Sequence, residues 1–135
     1  MSSISKKDYE ALSDFRYALR QFLRFSEDKA RSAGITPQQH QLLLTIKGVR
    51  GRDWATVTEV AERLQTRHHT AVGLCMRAEQ IGLIKRRVHP EDRRQVCLSV
   101  TDHGEKILAQ LTQEHRRELE RMREDILLPF LKERF

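Results

Sequence analysis

Hydrophobic residues in this chain recur at helical spacing almost from end to end, and the period falls to two in one interval, Leu83 to Thr101. Within it, Leu83 to Val88 reads as extended. Gln95 to Thr101 alternates strictly, with Val96, Leu98 and Val100 on one face and Cys97, Ser99 and Thr101 on the other. The polar segment His89-Pro90-Glu91-Asp92-Arg93-Arg94 lies between them and reads as a hairpin tip. The fold class is therefore mainly α with one small β-hairpin. At 135 residues the chain is one domain, long enough to bury an ordinary core.

Four helices precede the hairpin and one follows. The first runs from Lys7 to about Ala33, with Tyr9, Leu12, Phe15, Leu19, Phe22 and Leu23 on one face and Gly34 placed to stop it. Thr36-Pro37-Gln38-Gln39 reads as a capping box with proline at the first helical position. The second helix turns Leu42, Leu43 and Ile46 inward and ends near Lys47-Gly48, and residues 48–56 read as a loop. Thr58 is the expected cap of a short helix, Glu59 to Leu64, and a fourth helix runs from about His68 to Ile81 before Gly82. Thr101 caps a long last helix with Ile107, Leu111, His115, Leu119, Met122 and Ile126 on one stripe, and Pro129 breaks it before Phe130.

Val57 to Leu74 fits a helix-turn-helix. Val60 and small Ala61 sit where the helices cross, Leu64 closes the first helix, and Ala71 and Leu74 line the inner face of the second. The exposed positions of that second helix are Arg67, His68, His69, Thr70 and Gly73, with Arg77 a turn further on. With the hairpin added, the outline is a winged helix-turn-helix between two long terminal helices. Charge agrees with this. Residues 47–94 hold eleven Lys/Arg against six Asp/Glu, a net of +5 within a total of +6. Arg86, Arg87, Arg93 and Arg94 crowd the hairpin, where self-repulsion calls for an anion. Asp92 is expected to orient Arg94 as a carboxylate–guanidinium pair. On charge alone, a solvated basic face and a polyanion-binding face are equally open.

The segments Leu64-Gln-Thr-Arg-His-His-Thr-Ala-Val-Gly-Leu, Ile81-Gly-Leu-Ile-Lys-Arg-Arg, Pro90-Glu-Asp-Arg-Arg and Leu98-Ser-Val-Thr-Asp-His-Gly-Glu resemble the MarR-type transcriptional regulators. The resemblance spans about Lys7 to Phe135, and its most specific part is Asp92-x-Arg94 followed by Val100-Thr101 and Gly104. It implies a homodimeric, cytoplasmic repressor that binds operator DNA and releases it to a small effector. Residues 36–101 would form the DNA-binding lobe of a single domain, and 7–33 with 102–135 the dimerisation region. It also implies an effector pocket for small anionic aromatics between these regions, for which Arg16 and His40 are the candidates. The chain departs from the family at Arg67, where a serine cap is common, so Thr66 is the expected cap. It departs again at Gln65, where glycine is usual, and at Ala78, where a leucine is common.

Other function classes find less in the residues. Apolar runs such as Leu42-Leu43-Leu44 are too short for a membrane span, and the first residues lack an apolar signal core. No phosphate loop, nucleophile elbow or acid pair marks an enzyme. Six histidines show no zinc-ligand spacing, so neither metal nor cofactor is expected. Cys75 and Cys97 read as structural. Between Ala55 and Pro129 there is no Phe, Tyr or Trp to stack on single-stranded bases, which favours duplex DNA over RNA. A sequence-blind architectural binder and a winged-helix protein adaptor remain as alternatives.

Overall fold

The computed structural model describes residues 3–124, and in them the elements run α1 (Lys6–Ser32), α2 (Pro37–Lys47), β1 (Trp54–Thr56), α3 (Val57–Arg63), α4 (His68–Gln80), β2 (Ile84–Val88), β3 (Val96–Val100) and α5 (Asp102–Met122). The expectations at Ile126, Pro129 and Phe130 lie outside the described residues.

Three of the helix ends share one device. In α1, α3 and α4 the residue after the C-cap has positive φ, at Gly34 (86°), Gln65 (54°) and Gly82 (78°). Each time a pair of hydrogen bonds folds the chain back: Ile35 N to Ala30 O, Thr66 N to Ala61 O, and Leu83 N to Ala78 O are the outer bonds. Glycine takes this conformation freely. Gln65 takes it at a cost of about 1–2 kcal/mol, and its side-chain amide donates to the Glu62 carbonyl at 2.8 Å. Gln65, where the sequence departs from the usual glycine, is thus left-handed all the same.

The helix starts hold two corrections. Thr36 does close a capping box with Gln39, accepting from its N–H at 3.1 Å. The box of the third helix, however, is formed by Thr56 with Glu59, not by Thr58. Thr56 wins because Glu59 sits three residues on, where its carboxylate can return to the Thr56 N–H. Likewise the N-cap of α4 is Arg67 and not Thr66, and its side chain makes no capping bond.

Residues 54–56 are not loop. They form β1, the outer strand of a three-stranded antiparallel sheet ordered β1-β3-β2, with Ala55 opposite Leu98. Three residues are too few for periodicity to reveal a strand. With neighbours on both sides, β3 departs from simple alternation: Cys97 and Leu98 are both fully buried, while Val96 is exposed. The core joins Leu42, Leu43 and Ile46 of α2 to Val60, Ala71, Leu74, Leu98, Leu108 and Leu111. On α5 Leu108, Leu111 and Met122 are buried, with Ile107 only packed against the core.

The terminal helices look different. Tyr9, Leu12, Phe15, Leu19 and Leu23 of α1, together with Leu119 of α5, stay exposed. Apart from half-buried Phe22, which packs on His115, the α1 stripe read from the sequence is thus not part of the core.

Thr101 ties the hairpin to α5. Its hydroxyl accepts the Gly104 N–H at 3.1 Å and donates to the Gly82 carbonyl, and its own N–H donates to the Leu83 carbonyl at 3.1 Å. Gly104 lies so close to that carbonyl that a side chain has no room.

Candidate nucleic-acid interface

Helix α4 divides cleanly into two faces. Ala71, Leu74, Cys75 and Ala78 are buried, whereas Arg67, His68, His69, Thr70 and Arg77 are exposed and Gly73 is half-buried. Because Arg67 gives no side-chain cap, the first-turn N–H groups of α4 keep their donors free of one. Gly73 has a specific use. A Cβ there would stand 3.3 Å from Nη1 of Arg77, so the missing side chain is the shelf on which that guanidinium lies.

The wing arginines are not equivalent. Arg86 is neutralised within the protein, its Nε donating to Glu79 of α4 at 3.0 Å, so the self-repulsion argument does not apply to it. Arg87, Arg93 and Arg94 are exposed. The expected Asp92–Arg94 pair is formed: one carboxylate oxygen accepts both the backbone N–H and the Nε of Arg94, each at 3.1 Å. These two bonds hold the Asp92 carboxyl below its usual range. The Arg94 side chain stays 91% exposed, so it is aimed without being covered.

His68, at the head of α4, and Arg94, on the wing, line the same open cleft of about 580 Å³, together with Thr58, Glu59 and Arg52. Arg52 was not among the residues singled out from the sequence. It pairs with Glu59 and stacks over Trp54, its guanidinium carbon 4.0 Å from the ring centre. The signal available was an arginine two residues from the sole tryptophan in a basic, polar stretch.

Arg16 and His40 occupy different environments. Arg16 is exposed on α1, while His40 is buried on α2 with its Nδ1 unpartnered and its ring 4.9 Å from that of His115. Burial, then the neighbouring His115, pushes the His40 pKa down. His115 itself bridges α5 to α1, with Nε2 2.9 Å from the Ser26 hydroxyl and Nδ1 2.6 Å from the Leu111 carbonyl. Cys75 is buried and its thiol is pushed up to about 11, which leaves little thiolate at neutral pH. Among the described residues, no three metal-ligating side chains come together and no helix is long and apolar enough to cross a membrane.

A family model described as the MarR family matches residues 33–95, the stretch that holds the helix-turn-helix and most of the wing. Over those residues the chain is similar to the MarR family. The chain is also 33% identical over 72 residues to the HTH-type transcriptional repressor MdtR of Bacillus subtilis, a match covering 53% of this chain and 44% of MdtR. The chain thus spans less than half the length of that relative. The MarR fold itself extends over nearly the whole chain. AbsC, a MarR family transcriptional regulator from Streptomyces coelicolor, superimposes with a TM-score of 0.72 at 18% identity, covering 95% of this chain and 84% of AbsC. A MepR mutant from S. aureus, bound to an oligodeoxyribonucleotide, gives 0.67 at 22% identity over 92% of this chain and 86% of that one.

Proposed function

We propose that this chain is a DNA-binding transcriptional regulator of MarR type, acting as a homodimeric repressor. The observation that carries the reading is the shared cleft: one protomer presents the first turn of α4 and the aimed Arg94 of the wing on the same side. His68, His69 and Thr70 are suited to base edges in a major groove. Gly73 allows close approach, and Arg67 and Arg77 reach phosphates. Arg87, Arg93 and Arg94 suit the adjacent minor groove and backbone, with Asp92 as the brace of Arg94 and Arg86 held back by Glu79. The repressor named among its relatives and the oligodeoxyribonucleotide-bound MepR mutant support this reading.

The exposed apolar stripe of α1 and Leu119 of α5 supports a second copy of the chain as its cover. Residues 36–101 then serve as the DNA-binding lobe, and 7–33 with 102–135 as the dimer region. A small anionic aromatic effector, engaging His40 or Arg16, would release DNA by changing the separation of the two lobes.

The test is selection of duplexes from a random pool at near-physiological salt. An enriched palindrome with half-sites about 10 base pairs apart is expected, because paired recognition helices enter successive grooves on one face. Retention without enrichment would replace this reading with a sequence-blind architectural binder, and no retention would leave a protein adaptor.

A further inference from the structure

The wing tip is organised around one imidazole. His89 follows β2, and its backbone N–H donates to the Gln95 carbonyl at 3.0 Å, which closes the tip. Its ring packs edge-on with Trp54 of β1, centres 5.0 Å apart. Its Nδ1 accepts two backbone N–H groups, from Glu91 at 3.0 Å and from Asp92 at 3.1 Å. A nitrogen accepting from two donors carries no hydrogen, so the neutral ring holds its proton on Nε2. Asp92, fixed by this bond, is the residue whose carboxylate takes both donors of Arg94. A continuous set of contacts therefore runs from Trp54 through His89 and Asp92 to the exposed guanidinium.

We propose that neutral His89 is the positioning residue of the wing, and that protonation of its ring releases the tip and with it Arg94. An imidazolium has an N–H at both nitrogens and no acceptor, so the Glu91 and Asp92 N–H groups would face a third donor. The charged groups around the ring are Arg52, paired with Glu59, across Trp54, and Glu91, Asp92, Arg93 and Arg94 in the tip. Of these carboxylates, Asp92 lies close enough to the ring that a charge on His89 would lower its carboxyl further. A charged His89 therefore competes with Arg94 for the carboxylate that aims it. Both effects loosen the same pair.

The binding readout rests on the DNA-binding reading, whereas the ring chemistry does not. Nitrogen NMR of the full chain at about pH 8 should find His89 with a bare Nδ1 and a proton on Nε2. A proton on Nδ1 at that pH overturns the proposal. Retention of a random-sequence duplex pool is then compared for the wild type, His89→Asn, whose side-chain oxygen can accept the same two N–H groups, and His89→Ala. At about pH 8, His89→Asn should match the wild type and His89→Ala should bind about tenfold more weakly, the size of one or two lost tip hydrogen bonds. Between about pH 8 and about pH 5.5, the affinity of wild type relative to His89→Asn should fall severalfold, a ratio in which any pH effect common to the two proteins cancels. An unchanged ratio overturns the proposal. If the wild type retains no duplex at the higher pH, the DNA reading fails, and the imidazole tautomer alone decides for or against the wing.

Discussion

Replacing Gly104 with alanine tests the junction at which the wing meets α5. A Cβ at this position would fall inside van der Waals contact with the Leu83 carbonyl oxygen and stand 2.9 Å from Cγ1 of Val100. The carbonyl is backbone and cannot rotate away. It also accepts the Thr101 N–H at 3.1 Å, so displacing it strains the cap of α5. Overpacking of this kind costs about 1–3 kcal/mol, and the weakened hydrogen bond adds about 1 kcal/mol. Alanine returns about 1 kcal/mol through helix propensity. The net loss is about 1–3 kcal/mol, combining those terms. Urea unfolding followed by circular dichroism, at equal protomer concentration, measures it as a lower midpoint with unchanged slope. A variant as stable as the wild type, or more stable as an ordinary helical glycine-to-alanine change would be, refutes the close-approach argument.

Four further outcomes are expected. Asp92→Ala weakens duplex binding although it removes a negative charge, since Arg94 loses its brace; tighter binding would show that the carboxylate only repels phosphate. Arg94→Ala in parallel should lower affinity and flatten the salt slope by about one unit. His69→Ala or Thr70→Ala should shift the preferred sequence by about 1–3 kcal/mol per base contact, read from repeated selections, whereas a uniform loss across sequences would make them backbone contacts. Finally, the folded-state pKa of His40 is lowered from 6.5, so its neutral form is the one folding favours. Its stabilising contribution is present above the unfolded value and is lost as pH falls below 6.5. Urea midpoints should therefore drop on mild acidification in the wild type and drop less in His40→Leu; equal drops would remove His40 as the cause.

The helix-turn-helix was legible in the sequence because its requirements are local. A small residue at Ala61, a 3.6-residue apolar period and the stop at Gly82 each leave a mark within a few residues. The Asp92–Arg94 pair is equally local, separated by two positions. What escaped depends on partners far along the chain. β1 is a strand only because β3 lies beside it, more than forty residues away. Arg52 gains its place from Glu59 and Trp54 together, and His89 from Trp54, which no spacing rule links to a hairpin tip. The cap of α3 was misplaced for a different reason: Thr56 and Thr58 are both competent, and only the reach of Glu59 separates them.

The position of Trp54 also gives the protein a built-in optical label. It is the sole tryptophan in the chain. Its indole touches both Arg52 and His89. Excitation at the red edge, where the two tyrosines absorb little, therefore lights a single chromophore at the root of the wing. Its emission colour and quenching report the wing without a dye, and a titration with duplex or acid can be followed on the unmodified polypeptide.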